Sequence, residues 1–239
     1  MSCPESNAWL EACQDELQSL KETQTYVPVS TDDIGAANIV GCHWVFAIKH
    51  GLNGSVKQYK ACIVAKGFSQ EYQINYDETF APVVKWDSIQ ILLALAACFD
   101  LEVDQMDVKT AFLNSDLEHS IYMEPPPGSM DYGQPNIVWQ LQKSLYGLKQ
   151  ASHAWYQKAK QEFENLGFTQ SYADHSVFTY DEDAEVFCII ALYVDDLMVV
   201  CNNTTLMRTV KTRLMEMFKV KDLGPIHWFL GLEIICDRP

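Results

Sequence analysis

The chain has 239 residues, 48% of them hydrophobic, enough for one large or two small domains with a proper core. Acidic residues outnumber basic ones 32 to 17, and the net charge of −15 argues against nucleic-acid binding through the surface as a whole, leaving room only for a local basic groove. No run approaches the roughly 18 apolar residues of a membrane span, and the opening MSCPESNAWLEACQDEL lacks the basic start and apolar centre of a signal peptide, so a soluble, intracellular protein is expected, in cytoplasm or nucleus.

Residues 4–21 begin with Pro4 and space Trp9, Cys13, Leu17 and Leu20 three or four apart, which predicts a packing helix with one apolar stripe. Tyr26 to Asp33 reads as extended chain and turn. Ile39 to Ile48 and Val56 to Val64 read as two strands joined by a turn at His50 to Gly54. This hairpin concentrates positive charge, Lys57, Lys60 and Lys66, in an acidic chain; lysines that keep an exposed edge soluble would give the same pattern. The eight cysteines are scattered, without a C-x-x-C pair or a His pair at zinc spacing, and read as reduced core residues.

After an irregular stretch from Phe68 to Val84, Asp87-Ser88 offers an N-cap for IQILLALAACF, a helix apolar almost all round and therefore expected to be buried. Leu101 to Leu113 reads as a strand with Asp107 near its end and then a turn carrying Phe112. Residues 125–136 form a surface loop. Ile137 to Gln142 is a short strand, and a helix from about Ser152 to Leu166 presents Trp155, Ala159, Phe163 and Leu166 before Gly167 ends it.

Cys188 to Cys201, CIIALYVDDLMVVC, places Asp195-Asp196 between two short runs rich in Val and Ile, a buried hairpin with carboxylates at its bend. Adjacent carboxylates there repel and lose hydration, which a divalent cation would offset; a solvated Asp-Asp turn is the plainer alternative. A helix capped by Asn203 or Thr204 runs to about Phe218, with Leu206, Val210, Leu214 and Met217 inward and Arg208, Lys211 and Arg213 outward. Asp222-Leu223-Gly224 and a hairpin from Ile226 to Ile235 close the chain. Helices segregated against an antiparallel sheet make an α+β fold. If the strands bearing Asp107 and Asp195 are neighbours, their carboxylates can share hard, oxygen-loving Mg²⁺ ions in a two-metal arrangement for nucleotidyl transfer.

KACIVAKGFSQ at 60–70, YDETFAPVV at 76–84, QMDVKTAFLN at 105–114, IYMEPPPG at 121–128, KSLYGLKQ at 143–150, YVDD at 193–196 and DLGPIHWFLGLEI at 222–234 together resemble the reverse transcriptase of Ty1/copia-type LTR retrotransposons. The resemblance covers about the whole chain. It implies a right-hand polymerase with fingers and palm, residues 1–88 being the N-terminal helix and fingers and 89–239 mainly palm with a fingers-like insert and a primer-grip hairpin, and no thumb. By it Asp107, Asp195 and Asp196 are the catalytic, metal-holding acids for Mg²⁺, with Mn²⁺ able to substitute. Lys60, Lys66, Phe112 and Gln150 would contact the incoming nucleotide, and Trp228, Phe229, Leu230 and Gly231 the primer end. The implied partners are an RNA or DNA template with its primer, deoxynucleoside triphosphates, and the RNase H and integrase segments of a Pol polyprotein; no membrane is implied.

The chain departs from the pattern at Cys62, where Arg is usual after Lys-Ala, and at Gln90, Ser115 and Ser152-His153, where Arg, Gly and Pro-Arg are common. Loss of a guanidinium fork at Cys62 removes a group that could hold phosphate at two points. A catalytically inactive remnant that at most binds nucleic acid or protein is therefore the second expectation.

Overall fold

A computed structural model describes residues 5–50, 54–182 and 185–237. In chain order its elements are α1 (Ser6–Glu22), β1 (Tyr26–Ser30), β2 (Ile39–Val40), β3 (Cys42–His50), β4 (Val56–Ala65), α2 (Trp86–Phe99), β5 (Glu102–Val108), β6 (Asp116–Met123) and β7 (Ile137–Lys143). There follow α3 (Ala151–Asn165), β8 (Thr169–Gln170), β9 (Val177–Glu182), β10 (Val186–Tyr193), β11 (Asp196–Cys201), α4 (Thr204–Met217), β12 (Val220–Pro225), β13 (Trp228–Phe229) and β14 (Leu232–Glu233). The mixture is α+β, as the order of sequence patterns predicts. The expected helix start at Pro4 and the turn tip at 51–53 lie outside the described residues.

Two compact units divide the chain, residues 1–80 with 112–155 and residues 81–111 with 156–239. In the first, β1-β7-β6-β2 form one sheet, with β2 parallel to β6, and β3 pairs with β4 as the predicted hairpin. The α1 stripe packs where its spacing places it: Leu20 is buried, and Trp9 sets its ring edge-on to Phe46 and Tyr59 at 5.3 and 4.7 Å. β6 was not expected, because DLEHSIYM mixes charges with only a short apolar end. The chain after β4 crosses the loop after β7 so tightly that Gly147, at φ +90°, has no room for a side chain: a Cβ there would lie 2.1 Å from the Ala65 carbonyl oxygen. Tyr146 accepts a backbone hydrogen bond from Ala65 at 2.8 Å beside it.

The second unit is built on a six-stranded antiparallel sheet in the order β12-β5-β11-β10-β9-β8. Leu197, Met198, Val199, Val200 and Cys201 of β11 are all fully buried, so the apolar run does read as a strand covered on both faces. Each Val or Leu so buried contributes about 1.5–3 kcal/mol. On one face Met198 and Val200 join Ile89, Leu92 and Ala96 of α2 in the core. The other carries α4, whose Met207, Val210 and Leu214 are buried. Asn203 caps α4, its side chain accepting from Thr205 and Leu206 N–H at 2.9 Å.

Three expectations fail here for identifiable reasons. α2 is not buried all round: it has a sheet on one side only, and Ile91 and Phe99 on its far side are 60% and 68% exposed. Its N-cap is Lys85, which makes no side-chain cap, and not Asp87-Ser88. Asp174, distant in sequence, supplies the missing acceptor, taking hydrogen bonds from Lys85 N–H at 2.8 Å and Ser88 Oγ at 2.7 Å. Lys211 does not face solvent either. It bridges α4 to the sheet through Asp104 and, at 2.6 Å, Asp222. Burial lowers its pKa, but the two carboxylates outweigh that and leave it raised. Asp222 to Gly224 lie in β12, which a bulge fits against β5.

Candidate active site

The acidic hairpin closes through a two-residue turn, Val194-Asp195, between the paired Tyr193 and Asp196. Val194 sits at φ +54°, a left-handed conformation costly for a β-branched residue, so the turn is held by its surroundings and not by its own preference. Part of that hold is visible: the Val108 N–H donates to the Asp195 carbonyl at 2.7 Å, fastening the turn to β5 just beyond Asp107.

That bond fixes the chemistry of the row. With Val108 opposite Asp195 in a hydrogen-bonded position, Asp107 and Asp196, paired in register, occupy the adjacent non-hydrogen-bonded position. There Cα atoms approach to about 4.5 Å and side chains come closest. Two acids 89 positions apart in sequence thus share one face at one end of neighbouring strands, with Asp195 at the bend beside them, all three half-buried. On the other side of Asp107, β12 brings Lys221 into the same row. Lys221 was not picked out from sequence, and its place rests on a long-range pairing without a local signal.

The donor set suits a hard divalent cation, being carboxylate oxygen alone. Among the described residues, no three of His, Cys, Asp and Glu gather closely enough to enclose an ion. The acids are therefore collected along one edge of the sheet and not closed into a ligand cage.

The other residues singled out from sequence are placed as follows. Trp228 and Phe229 pair with Glu233 and Leu232 across a turn whose two residues, Leu230 and Gly231, both have positive φ, 49° and 85°. This is a tight hairpin, with Phe229 in the core and Trp228 half exposed. In the first unit, Lys60 lies on β4 beside Cys62, and the carboxylate of Glu16 on α1 reaches the same strand, accepting the Ile63 N–H at 3.1 Å. Burial pushes Glu16 upward in pKa against the Ile63 hydrogen bond and the charge of Lys60. Burial likewise raises the Cys62 thiol, with Glu16 adding to it. Glu16 looks from sequence like one more polar residue of a surface helix, so this neighbour of Lys60 was missed. Lys66 follows β4, its N–H bonded to the Gly41 carbonyl at 2.8 Å.

Phe112 is buried on the short 3₁₀ turn of residues 111–114, edge-on to Tyr146 at 4.6 Å. Gln150 is buried as well. Its amide accepts from Gln70 Nε2 at 3.0 Å and donates to the Asn75 carbonyl at 2.9 Å, so it ties together a loop network that Lys149 extends to Tyr76. Asp107, Asp195 and Asp196 are thus brought together, and Trp228, Phe229, Leu230 and Gly231 lie in the same unit; Lys60, Lys66, Phe112 and Gln150 belong to the other unit.

The sheet offers one acid from a strand and two from the neighbouring hairpin, and comparison of sequences specifies the class of protein that carries them. The profile of the reverse transcriptase (RNA-dependent DNA polymerase) family matches residues 25–238, and the chain belongs to that family. It is similar to the retrovirus-related Pol polyprotein from transposon TNT 1-94 of Nicotiana tabacum, 42% identical over 238 residues that make up 100% of this chain and 18% of that one. It is also similar to the corresponding polyproteins from transposons RE1 and RE2 of Arabidopsis thaliana, at 41% and 37% identity over 82% and 94% of this chain and 13% and 15% of theirs. The chain thus spans less than a fifth of the length of these relatives.

Proposed function

We propose that the chain is the polymerase portion of a Ty1/copia-type Pol polyprotein and adds deoxynucleotides to a primer 3′-hydroxyl on an RNA or DNA template. The observation that carries this reading is the pairing of Asp107 with Asp196 beside Asp195. Asp107, Asp195 and Asp196 would hold Mg²⁺ or Mn²⁺. Bound there, two such ions supply activation of the hydroxyl and neutralisation of the charge developing on the leaving pyrophosphate. Residues 1–88 serve as the N-terminal helix and fingers, and residues 89–239 mainly as palm with a fingers-like insert. Lys60 and Lys66 attract the triphosphate, Gln150 shapes the loop beside it, and Phe112 fills the space a ribose 2′-hydroxyl needs. Trp228, Phe229, Leu230 and Gly231 steady the primer end. RNase H and integrase segments of the same polyprotein would complete replication and integration inside the cell. No helix among the described residues is long and apolar enough to cross a membrane.

A non-catalytic remnant is the second reading, favoured by Cys62 in place of the usual Arg. Primer extension with Mg²⁺ separates the two. Extension by the wild type and its loss in Asp195→Asn supports the polymerase, whereas no extension by a folded wild type leaves the remnant.

A further inference from the structure

At the opposite end of the acidic hairpin from its turn, Cys188 and Cys201 stand directly opposite each other on β10 and β11. The next pair outward carries a ladder hydrogen bond, Asn202 N–H to the Phe187 carbonyl at 3.3 Å. Alternation along an antiparallel ladder therefore puts the two cysteines at a non-hydrogen-bonded position, where Cα atoms sit about 4.5 Å apart and side chains are closest. That separation falls within the roughly 4.4–6.8 Å a disulfide spans. Both residues are fully buried. The Cys188 thiol donates to the Cys201 sulfur, and the single Cys201 S–H has two alternative acceptors, the carbonyls of Phe187 and Asn203, each at 3.2 Å. The cysteines of the other hairpin are not so matched, since Cys42 faces Ala65 and Cys62 faces Val45.

We infer that Cys188 and Cys201 are a redox modification site, closed to a cross-strand disulfide by a hydroperoxide. The two sulfurs are hydrogen-bonded to each other and the sequence of steps is the same from either one; from Cys201 it begins with loss of the thiol proton. The Cys201 thiolate attacks one oxygen of hydrogen peroxide, the O–O bond breaks, and hydroxide leaves and is protonated to water, giving a sulfenic acid. The Cys188 sulfur then attacks the Cys201 sulfur and expels the second oxygen as water. Two thiols are oxidised, two electrons pass to the peroxide, and both thiol protons end in water. Both thiols are buried, so the oxidant reaches them through local opening of β10 and β11, which sets the rate of the reaction. The proposal rests on strand register and not on the polymerase reading.

The full chain would be treated with hydrogen peroxide in native buffer, alkylated in denaturant, and digested with a protease that cuts before aspartate. Asp195 and Asp196 separate the two cysteines, whereas no Lys or Arg does. The expected product is a linked pair of peptides, one bearing Cys188 and one Cys201, lighter by two hydrogen atoms and released by dithiothreitol. Closing the loop should also raise the thermal midpoint by about 5–10 °C, reversibly, with no such shift in Cys188→Ala. Recovery of both cysteines alkylated after oxidation overturns the proposal. So does recovery of either as a sulfinic acid, or linked to another cysteine. The peptide readout needs only the wild type, so a Cys188→Ala protein that fails to fold does not weaken it.

Discussion

Replacing Asp174 with Asn changes no volume and tests whether this buried carboxylate holds the start of α2. Its Oδ2 accepts from Lys85 N–H and Ser88 Oγ, and its Oδ1 accepts from Ser176 N–H at 3.0 Å. In Asp174→Asn the amide NH₂ must face one side or the other. If it faces Lys85 and Ser88, the serine hydroxyl can turn to accept but the backbone N–H cannot; a flip only moves the clash to Ser176. Hydrogen bonds to a charged partner contribute about 1.5–3 kcal/mol each, so losing one and leaving its backbone donor buried costs about 1.5–3 kcal/mol. Urea unfolding followed by circular dichroism should show the midpoint falling by up to about 1 M with the slope unchanged.

The pH dependence gives a second handle. Burial raises the Asp174 pKa, but its Ser88, Lys85 and Ser176 donors outweigh that and hold it below the usual 3.8. A depressed folded pKa means the contribution is complete above 3.8 and is lost as pH falls through the lower folded value. The gap between wild type and Asp174→Asn should therefore narrow as the pH drops below 3.8. A midpoint shift under about 0.3 M at pH 7, or a gap that persists unchanged in acid, would refute this account. Because Val84, just before α2, donates to the Leu192 carbonyl at 3.1 Å, the same change should also loosen the support of the acidic hairpin.

Gly147→Ala should cost at least about 3 kcal/mol, visible as lost soluble yield and rapid proteolysis, since its Cβ meets the Ala65 backbone and not a side chain that can swing away. Phe112→Val should raise ribonucleotide use relative to deoxynucleotide use in primer extension; an equal fall in both activities together with lower stability would make Phe112 only a partner of Tyr146. Cys62→Arg should lower the apparent Michaelis constant for nucleotide at least about tenfold, by one regained charge-assisted contact. An unchanged value would mean that Glu16, already beside this strand, takes the guanidinium. Mn²⁺ titrated by calorimetry should bind the wild type more tightly than the Asp107→Asn, Asp195→Asn double variant, which should fold normally; equal binding would remove these acids as ligands.

The acidic hairpin was legible because every signal in CIIALYVDDLMVVC is local: two runs short enough for strands, and a pair of acids where the period breaks. Asn203 as the cap of α4 was legible for the same reason. What sequence could not give depends on partners far along the chain. Asp174 caps a helix that begins 88 positions before it, and Ser88 itself, the nearer candidate, became a donor to that acid. Lys211 has the spacing of a solvent-facing lysine, and only the approach of Asp104 and Asp222 draws it in. β12 was not read as a strand, because its Gly224 sits at a bulge that only the pairing with β5 reveals. An apolar helix surface, as α2 shows, does not say whether it has neighbours on one side or two.

The position of β5 in its sheet has a consequence for how the protein is made. Both of its partners, β11 and β12, come well after it in sequence, at residues 196–201 and 220–225, so the strand bearing Asp107 emerges from the ribosome with two open edges. At about 5–20 residues per second, the roughly 90 residues to β11 take between about 5 and 20 s to synthesise. Throughout that interval the buried side chains of Met106 and Val108 have no sheet to enter, and unpaired edges of this kind invite pairing with other chains. The row of acids thus assembles only after β11 is made, and a ribosome that stalls before it releases a strand already exposed to aggregation.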